Sequence, residues 1–286
     1  SQRFTETLSE GTSKAAIEVS KQPFGEYLPE GKTDAVVDNL DKIWLAHVLL
    51  HEIIGHGSGT YDETKYEHGE DPISAIGKQI GSSMASALEE ERADLTGLVF
   101  VNDPKLVEAG LYKDQAEADL IRDLSYDWYF ADFLVRFARG RSWAGAHARG
   151  HLLFANYQLA KGAIAWVSKN PAEPMTDQNR VLKVLDYDRV QEVSRELLSL
   201  LQLYKATKDL AGIKNLFETF APTQMAQETW AQQIIKRSEG MKMHWASFDQ
   251  PWDIVKEADG SHKLVLFGQQ TLNDAASSVH RVINVQ

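Results

Sequence analysis

The chain of 286 residues contains no cysteine. Disulfides therefore contribute nothing, and any metal must be held by histidine and carboxylate side chains. The absence leaves the redox compartment open. No run of about 18 apolar residues occurs, so a membrane span is not expected. Positive charge is also scarce: 30 Lys and Arg stand against 41 Asp and Glu, for a formal net charge of -11. An acidic chain lacks the basic patch that nucleic-acid binding needs. There is no internal repeat and no low-complexity segment. The chain begins at Ser1, with neither a Met nor a basic-then-apolar leader. It is expected to be processed or part of a longer, cytoplasmic protein.

What remains is ordinary for a soluble globular chain, with 43% hydrophobic and 25% charged residues. Apolar positions recur mostly at helical spacing. Helices are predicted over 34–56, 79–101, 114–139, 143–169, 187–208, 210–220 and 223–238. A Gly-, His- and Asp-rich loop is expected over 57–72, and a surface loop over 170–177 around Pro171 and Pro174. Residues 245–257 and 263–267 read as strands around the turn Asp259-Gly260. The expected fold is mainly α: one helical lobe over 1–286, with a small β-containing segment at 241–286.

The most informative segment is His51-Glu52-Ile53-Ile54-Gly55-His56. The common zinc-peptidase motif has two His at i and i+4 with Glu directly after the first. Four residues advance ~400° around a regular helix, so both imidazoles share a face. Five residues advance ~500°, which puts the second His ~140° away from the first. One extra residue in the turn, a π-bulge, removes the mismatch, and such bulges concentrate at functional sites. Gly55 tolerates the distortion, and Gly57 and Gly59 let the chain leave the helix. The segment lies in an apolar helix (Ile43, Trp44, Leu45, Val48, Leu49, Leu50, Ile53, Ile54), where unpaired polar groups would be costly. Neutral imidazoles leave zinc a net positive ion that acidifies a bound water, and Glu52 stands ready to take the proton.

A catalytic zinc takes three protein ligands and keeps one position open. Glu89-Glu90-Glu91-Arg92-Ala93-Asp94 supplies the best third donor. Glu90 and Asp94 share a helix face. Glu90 can ligate while Asp94 or Glu89 accepts the free N–H of a ligand imidazole.

These two segments resemble the dipeptidyl peptidase III family of zinc exopeptidases, whose hallmarks are a His-Glu-x-x-Gly-His helix and a later Glu-Glu-x-Arg-Ala-Glu helix. The resemblance implies one Zn2+ held by His51, His56 and Glu90, water activation by Glu52, and imidazoles oriented by Glu89 and Asp94. Asp94 stands where the family has the longer Glu, so its contact is expected to be longer or water-bridged. Ser142-Trp143-Ala144-Gly145-Ala146-His147 resembles the segment carrying a catalytic-site His, which makes His147 a candidate for the substrate or the developing oxyanion. Residues 201–205 and 209–212 also resemble the family. The resemblance runs from about 40 to about 225. It implies an oligopeptide substrate, release of dipeptides from a free N-terminus, and a second, N-terminal lobe that this length does not accommodate. A zinc- and peptide-binding lobe without turnover, and a zinc-stabilised interaction module, stay open.

Other clusters compete. His47 with His51, and His147 with His151, have the i, i+4 spacing but no Glu after the first His. His47 reads as a core or supporting residue, and His151 as a cleft residue, a ligand of a second metal site or a plain helical residue. The weak Glu-x-x-His spacing speaks against a di-iron bundle. His68 lies in an acidic loop with Asp62, Glu63, Glu67, Glu70 and Asp71, which reads as solvated, with a cation site as the alternative. Tyr126, Trp128, Tyr129, Phe130 and Phe133 read as core. Arg136, Arg139, Arg141 and Arg149 read as rim salt bridges, with a substrate carboxylate as the alternative.

Overall fold

A computed structural model describes residues 23–138, 145–222, 228–237, 252–256 and 262–266. The chain divides into two compact units, residues 19–242 and residues 1–18 with 243–286. In the second unit the described residues are two strands, β3 (Trp252–Lys256) and β4 (His262–Leu266), paired antiparallel with Ile254 opposite Leu264. Residues 245–251, 257 and 267 of the predicted strands, and the turn Asp259-Gly260, lie outside the described residues.

The larger unit is mainly α. Its helices include α1 (Thr33–Asp38), α2 (Leu40–Leu49), a π-helix (Leu50–Gly55), a 3-10 turn (Glu63–Lys65), α3 (Pro72–Ile80), α4 (Ser82–Phe100), α5 (Pro104–Glu108), α6 (Gln115–Ala138), α7 (Ala146–Ala160), α8 (Tyr187–Thr207), α9 (Leu210–Phe220) and α10 (Thr229–Arg237). Local chemistry sets several starts. Asp71 accepts the Ser74 backbone N–H ahead of Pro72, Asp186 accepts that of Arg189, and Asp209 that of Gly212.

Three predicted helices differ from the structure. Residues 34–56 break at Asn39, and the last turn is π rather than α. The helix predicted from 79 is two helices that meet at Gly81. The helix predicted over 143–169 stops at Ala160, because Gly162 takes a φ of 68° that ends the right-handed path. Beyond it, β1 (Ile164–Ser168) pairs antiparallel with β2 (Arg180–Val184), and the Pro-containing loop is their connection. The β-branched and aromatic residues Ile164, Trp166 and Val167 suit a strand. Residues 223–227 of the last predicted helix lie outside the described residues.

Helix α4 is the centre of the lobe. It packs against the π-helix, α3, α7 and α8. It is therefore buried nearly all round from Glu91 to Val99, including the charged Glu91, Arg92 and Asp94. The predicted aromatic core forms from α6, with Tyr126, Trp128, Tyr129, Phe130 and Phe133 all buried. The apolar helix carrying the metal motif is not wholly sunk, however. Trp44, Leu49, Ile53 and Ile54 are exposed, so those positions face outward rather than into the core.

Close approach of the π-helix to α4 depends on a missing side chain. A Cβ at Gly55 would lie 2.8 Å from both Cα and Cβ of Ala93. The Arg92 guanidinium donates to the Gly55 carbonyl at 2.6 Å across the same contact. Gly55→Ala is expected to lower unfolding stability by about 1–3 kcal/mol through overpacking. Denaturant titration of the variant beside the parent chain checks this.

Candidate metal centre

The π-helix resolves the five-residue spacing. The His56 backbone N–H donates to the His51 carbonyl at 3.0 Å, an i to i+5 bond. At roughly 4.4 residues per turn, five residues complete little more than one turn. The two imidazoles therefore share a side, with ring centres 4.8 Å apart.

Helix α4 brings Glu90 to meet them. Glu90 Oε2 lies 3.4 Å from His51 Nε2 and 3.6 Å from His56 Nε2. Both distances exceed the ~2.7–3.2 Å of an N–H···O hydrogen bond. They match the ~3.4 Å between donor atoms that share one tetrahedral zinc at ~2.0–2.1 Å. Ligand atoms of His51, Glu52 and His56 also lie within 4.8 Å of one another. Glu52 itself is exposed, its Oε1 4.0 Å from His51 Nε2. The donor set, two imidazoles and carboxylates, suits a single zinc ion.

The outward nitrogens are held by carboxylates. His51 Nδ1 meets Asp94 Oδ1 at 2.7 Å, and His56 Nδ1 meets Glu89 Oε1 at 3.3 Å. The contact expected to be long or water-bridged is direct. Asp94 reaches because the π-helix and α4 approach so closely at Gly55 and Ala93. Glu89 is fixed in turn by Arg92, which donates to both of its oxygens, and by Lys205 Nζ at 2.8 Å.

Asp94 serves more than one imidazole. Its Oδ1 also meets His47 Nε2 at 3.1 Å. Its Oδ2 accepts from the Tyr129 hydroxyl at 3.0 Å, with His151 Nε2 at 3.3 Å and His147 Nδ1 at 3.7 Å. Burial opposes its charge, yet the imidazoles of His147, His151, His47 and His51 hold Asp94 well below the usual carboxylate range. For His51, burial favours the neutral ring, but Asp94 and Glu90 raise its pKa to about 10. The His51 contact holds Glu90 low against the cost of burial, and the charges of His147 and His56 assist. Burial, with the adjacent Asp94 charge, pushes Glu91 well above its ordinary value. The site as a whole favours positive charge where the imidazole Nε2 atoms converge.

His147, in the first turn of α7, joins the cluster with Nε2 3.5 Å from Glu90 Oε2. His47 and His151 are buried around Asp94 and belong to its surroundings. Three supporting residues escaped the sequence reading: Tyr129 was assigned to the core, and Lys205 and Arg92 to no role. The family-like stretches that contain Arg92 and Lys205 were the sequence signal for those two, and nothing in the sequence marked Tyr129. Among the described residues, no potential metal-binding group includes His68. Arg149 is buried, with its guanidinium 5.2 Å from the Phe217 ring centre. Arg139, Arg141 and the side chain of Arg136 lie outside the described residues. Beside His56 opens a cleft of about 380 Å³, lined in part by Gly57, Tyr61, Glu70, Asp71 and Lys205.

Fold and site together define a helical lobe bearing a candidate mononuclear metal centre. The model of peptidase family M49 matches residues 12–247, and the chain belongs to that family, a family of metallopeptidases. Among solved structures it is similar to dipeptidyl peptidase III from Caldithrix abyssi, with a TM-score of 0.57 and 22% identity over 81% of this chain and 38% of that one. It is also similar to dipeptidyl-peptidase III from Corallococcus sp. strain EGB, with a TM-score of 0.54 and 19% identity over 85% of this chain and 38% of that one. The chain thus spans 38% of the length of each. No helix among the described residues is long and apolar enough to cross a membrane.

Asp94→Asn keeps the shape but removes the charge that orients the imidazoles. It is expected to weaken zinc binding about 10–100-fold. Competition against a chromophoric chelator measures the change.

Proposed function

We propose that this chain is the metal-bearing lobe of a zinc-dependent exopeptidase that releases dipeptides from the free N-terminus of oligopeptides. One observation carries the reading. Two imidazoles from the π-helix and the Glu90 carboxylate from α4 converge, with Glu52 4.0 Å from the inward nitrogen of His51. Peptide hydrolysis follows from that arrangement and from the family; dipeptide release follows from the likeness to proteins named dipeptidyl peptidase III.

In this reading His51, His56 and Glu90 hold the ion, while Asp94 and Glu89 fix the two imidazole orientations. A bound zinc supplies Lewis acidity toward a carbonyl oxygen and toward a water molecule. Glu52 takes the proton of the attacking water and passes it to the leaving amine. His147, half-exposed at the rim, donates to the developing oxyanion. In the adjacent cleft Lys205 is paired with Glu89 and Glu70 with Lys78, which leaves the Asp71 carboxylate to favour a protonated amino terminus over a carboxylate. Zinc suits the donors best, although cobalt and manganese accept the same set.

A second reading rests on chain length. The solved relatives are much longer, and Ile53 and Ile54 beside the site are 63% and 45% exposed. Those features suit a lobe that needs an N-terminal partner lobe to complete its cleft, and that alone binds zinc and peptide without turnover.

Assay of dipeptidyl-arylamide cleavage, with and without a chelator, separates the readings. Chelator-sensitive turnover supports the first, and stoichiometric zinc without turnover supports the second. Glu52→Ala is expected to retain zinc and lose at least about 100-fold in kcat. If its turnover equals that of the parent, Glu52 is not the base.

A further inference from the structure

His147 and His151 stand four residues apart near the start of α7, a regular α-helix. Four residues advance ~400°, so their imidazoles lie on one side of that helix. Helix α7 packs against α4, and both rings converge there on Asp94 Oδ2. His151 Nε2 lies 3.3 Å from that oxygen and His147 Nδ1 3.7 Å from it. Ligand atoms of the three residues all lie within 4.8 Å of one another. The cluster shares no side chain with the set His51, His56 and Glu90.

The two oxygens of Asp94 are used differently. A carboxylate offers about two lone-pair sites on each oxygen. Those of Oδ1 face His51 Nδ1 at 2.7 Å and His47 Nε2 at 3.1 Å, both hydrogen-bond distances. On Oδ2 the Tyr129 hydroxyl takes one site at 3.0 Å. Two imidazoles face what remains, one at the long edge of the ~2.7–3.2 Å range of an N–H···O bond and one past it. Their separations lie either side of the ~3.4 Å between donors that share a tetrahedral ion at ~2.0–2.1 Å. One cation would serve all three groups. The buried His151 ring is held in place by Tyr129, stacked on it with ring centres 4.2 Å apart. The His147 side chain is 47% exposed, which gives an ion a way in and water a place in its shell. The neighbouring group of His47, His51 and Asp94 has neither property, being wholly buried and already joined by hydrogen bonds.

We propose that Asp94, His147 and His151 form a second metal site, separate from the centre of His51, His56 and Glu90, that takes a divalent late transition ion. Two imidazoles and one carboxylate suit zinc, and hold copper(II) more tightly. Water completes the shell on the exposed side of His147. The site is the weaker of the two, because its carboxylate also serves His51 and one of its imidazoles is half in solvent. Asp94 then stands between two ions, with Oδ1 turned to a ligand of the first and Oδ2 to the second. Binding through Nδ1 leaves His147 Nε2 facing Glu90 Oε2 at 3.5 Å. The second site does not depend on the reading of the first.

The test uses the purified full chain, stripped of metal and titrated with zinc against a chromophoric chelator. Copper(II) is loaded separately and read by electron paramagnetic resonance, which reports the nitrogens bound to it. The parent chain is expected to take two zinc ions, the second more weakly. His147→Gln and His151→Phe, the latter preserving the stack on Tyr129, should each keep the first ion and weaken the second at least about tenfold. His56→Ala should lose the first ion and keep the second, with a copper signal from two nitrogens. Circular dichroism confirms that the variants fold. The proposal is overturned if the parent takes a single ion that His147→Gln and His151→Phe both retain. It is equally overturned if both variants bind a second ion as tightly as the parent does, which assigns that ion to the acidic surface. If His56→Ala keeps every ion while the α7 variants lose one, the second site stands and the reading of His51, His56 and Glu90 falls.

Discussion

A single buried carboxylate organises this lobe. Asp94 is 3% exposed and faces four imidazoles and a phenol, drawn from α2, the π-helix, α6 and α7. An isolated carboxylate in such a place would carry a large desolvation cost. Here the cost is offset by the imidazoles and the phenol gathered around it. The same contacts tie four helical elements to α4, so the packing of the lobe and the aim of the imidazoles are one problem rather than two.

A second carboxylate performs the same task nearer the solvent. Glu89 holds His56 and is itself locked by Arg92 and Lys205. Arg92 also grips the carbonyl of Gly55, so one guanidinium links the π-helix to the acid that orients the imidazole at its end. The face of α4 toward the metal motif thus alternates between a group that meets the centre, Glu90, and groups that hold its surroundings still, Glu89, Arg92 and Asp94. This explains why so charged a stretch sits at the middle of a helix that is buried nearly all round.

Much of this was legible in the order of residues. The five-residue spacing called for an extra residue in the turn, and Leu50–Gly55 is a π-helix. Glu90 was drawn to the imidazoles by its place one turn before Asp94. What was not legible depended on contacts distant in sequence. Tyr129 looks like any core aromatic until Asp94 is found at its hydroxyl, and Lys205 lies 116 positions from the acid it serves. The β1–β2 hairpin was missed for a local reason. Its apolar residues continue the run of α7, and only the left-handed turn at Gly162 marks where the helix has stopped. The outward-facing Trp44, Leu49, Ile53 and Ile54 were misplaced because hydrophobicity alone does not say which side of a helix has a neighbour.

The single additional residue in the Leu50–Gly55 turn also sets where the chain goes next. Relative to an uninterrupted α-helix, everything after it is swung by about 100°. The backbone from Gly57 to Tyr61 therefore departs on the side where it walls the cleft beside His56. A cousin carrying the common four-residue spacing could gather the same donor set, yet its chain would leave in another direction and a different surface would flank the site. The odd spacing, in this light, steers what can lie next to the centre as much as it arranges the centre itself.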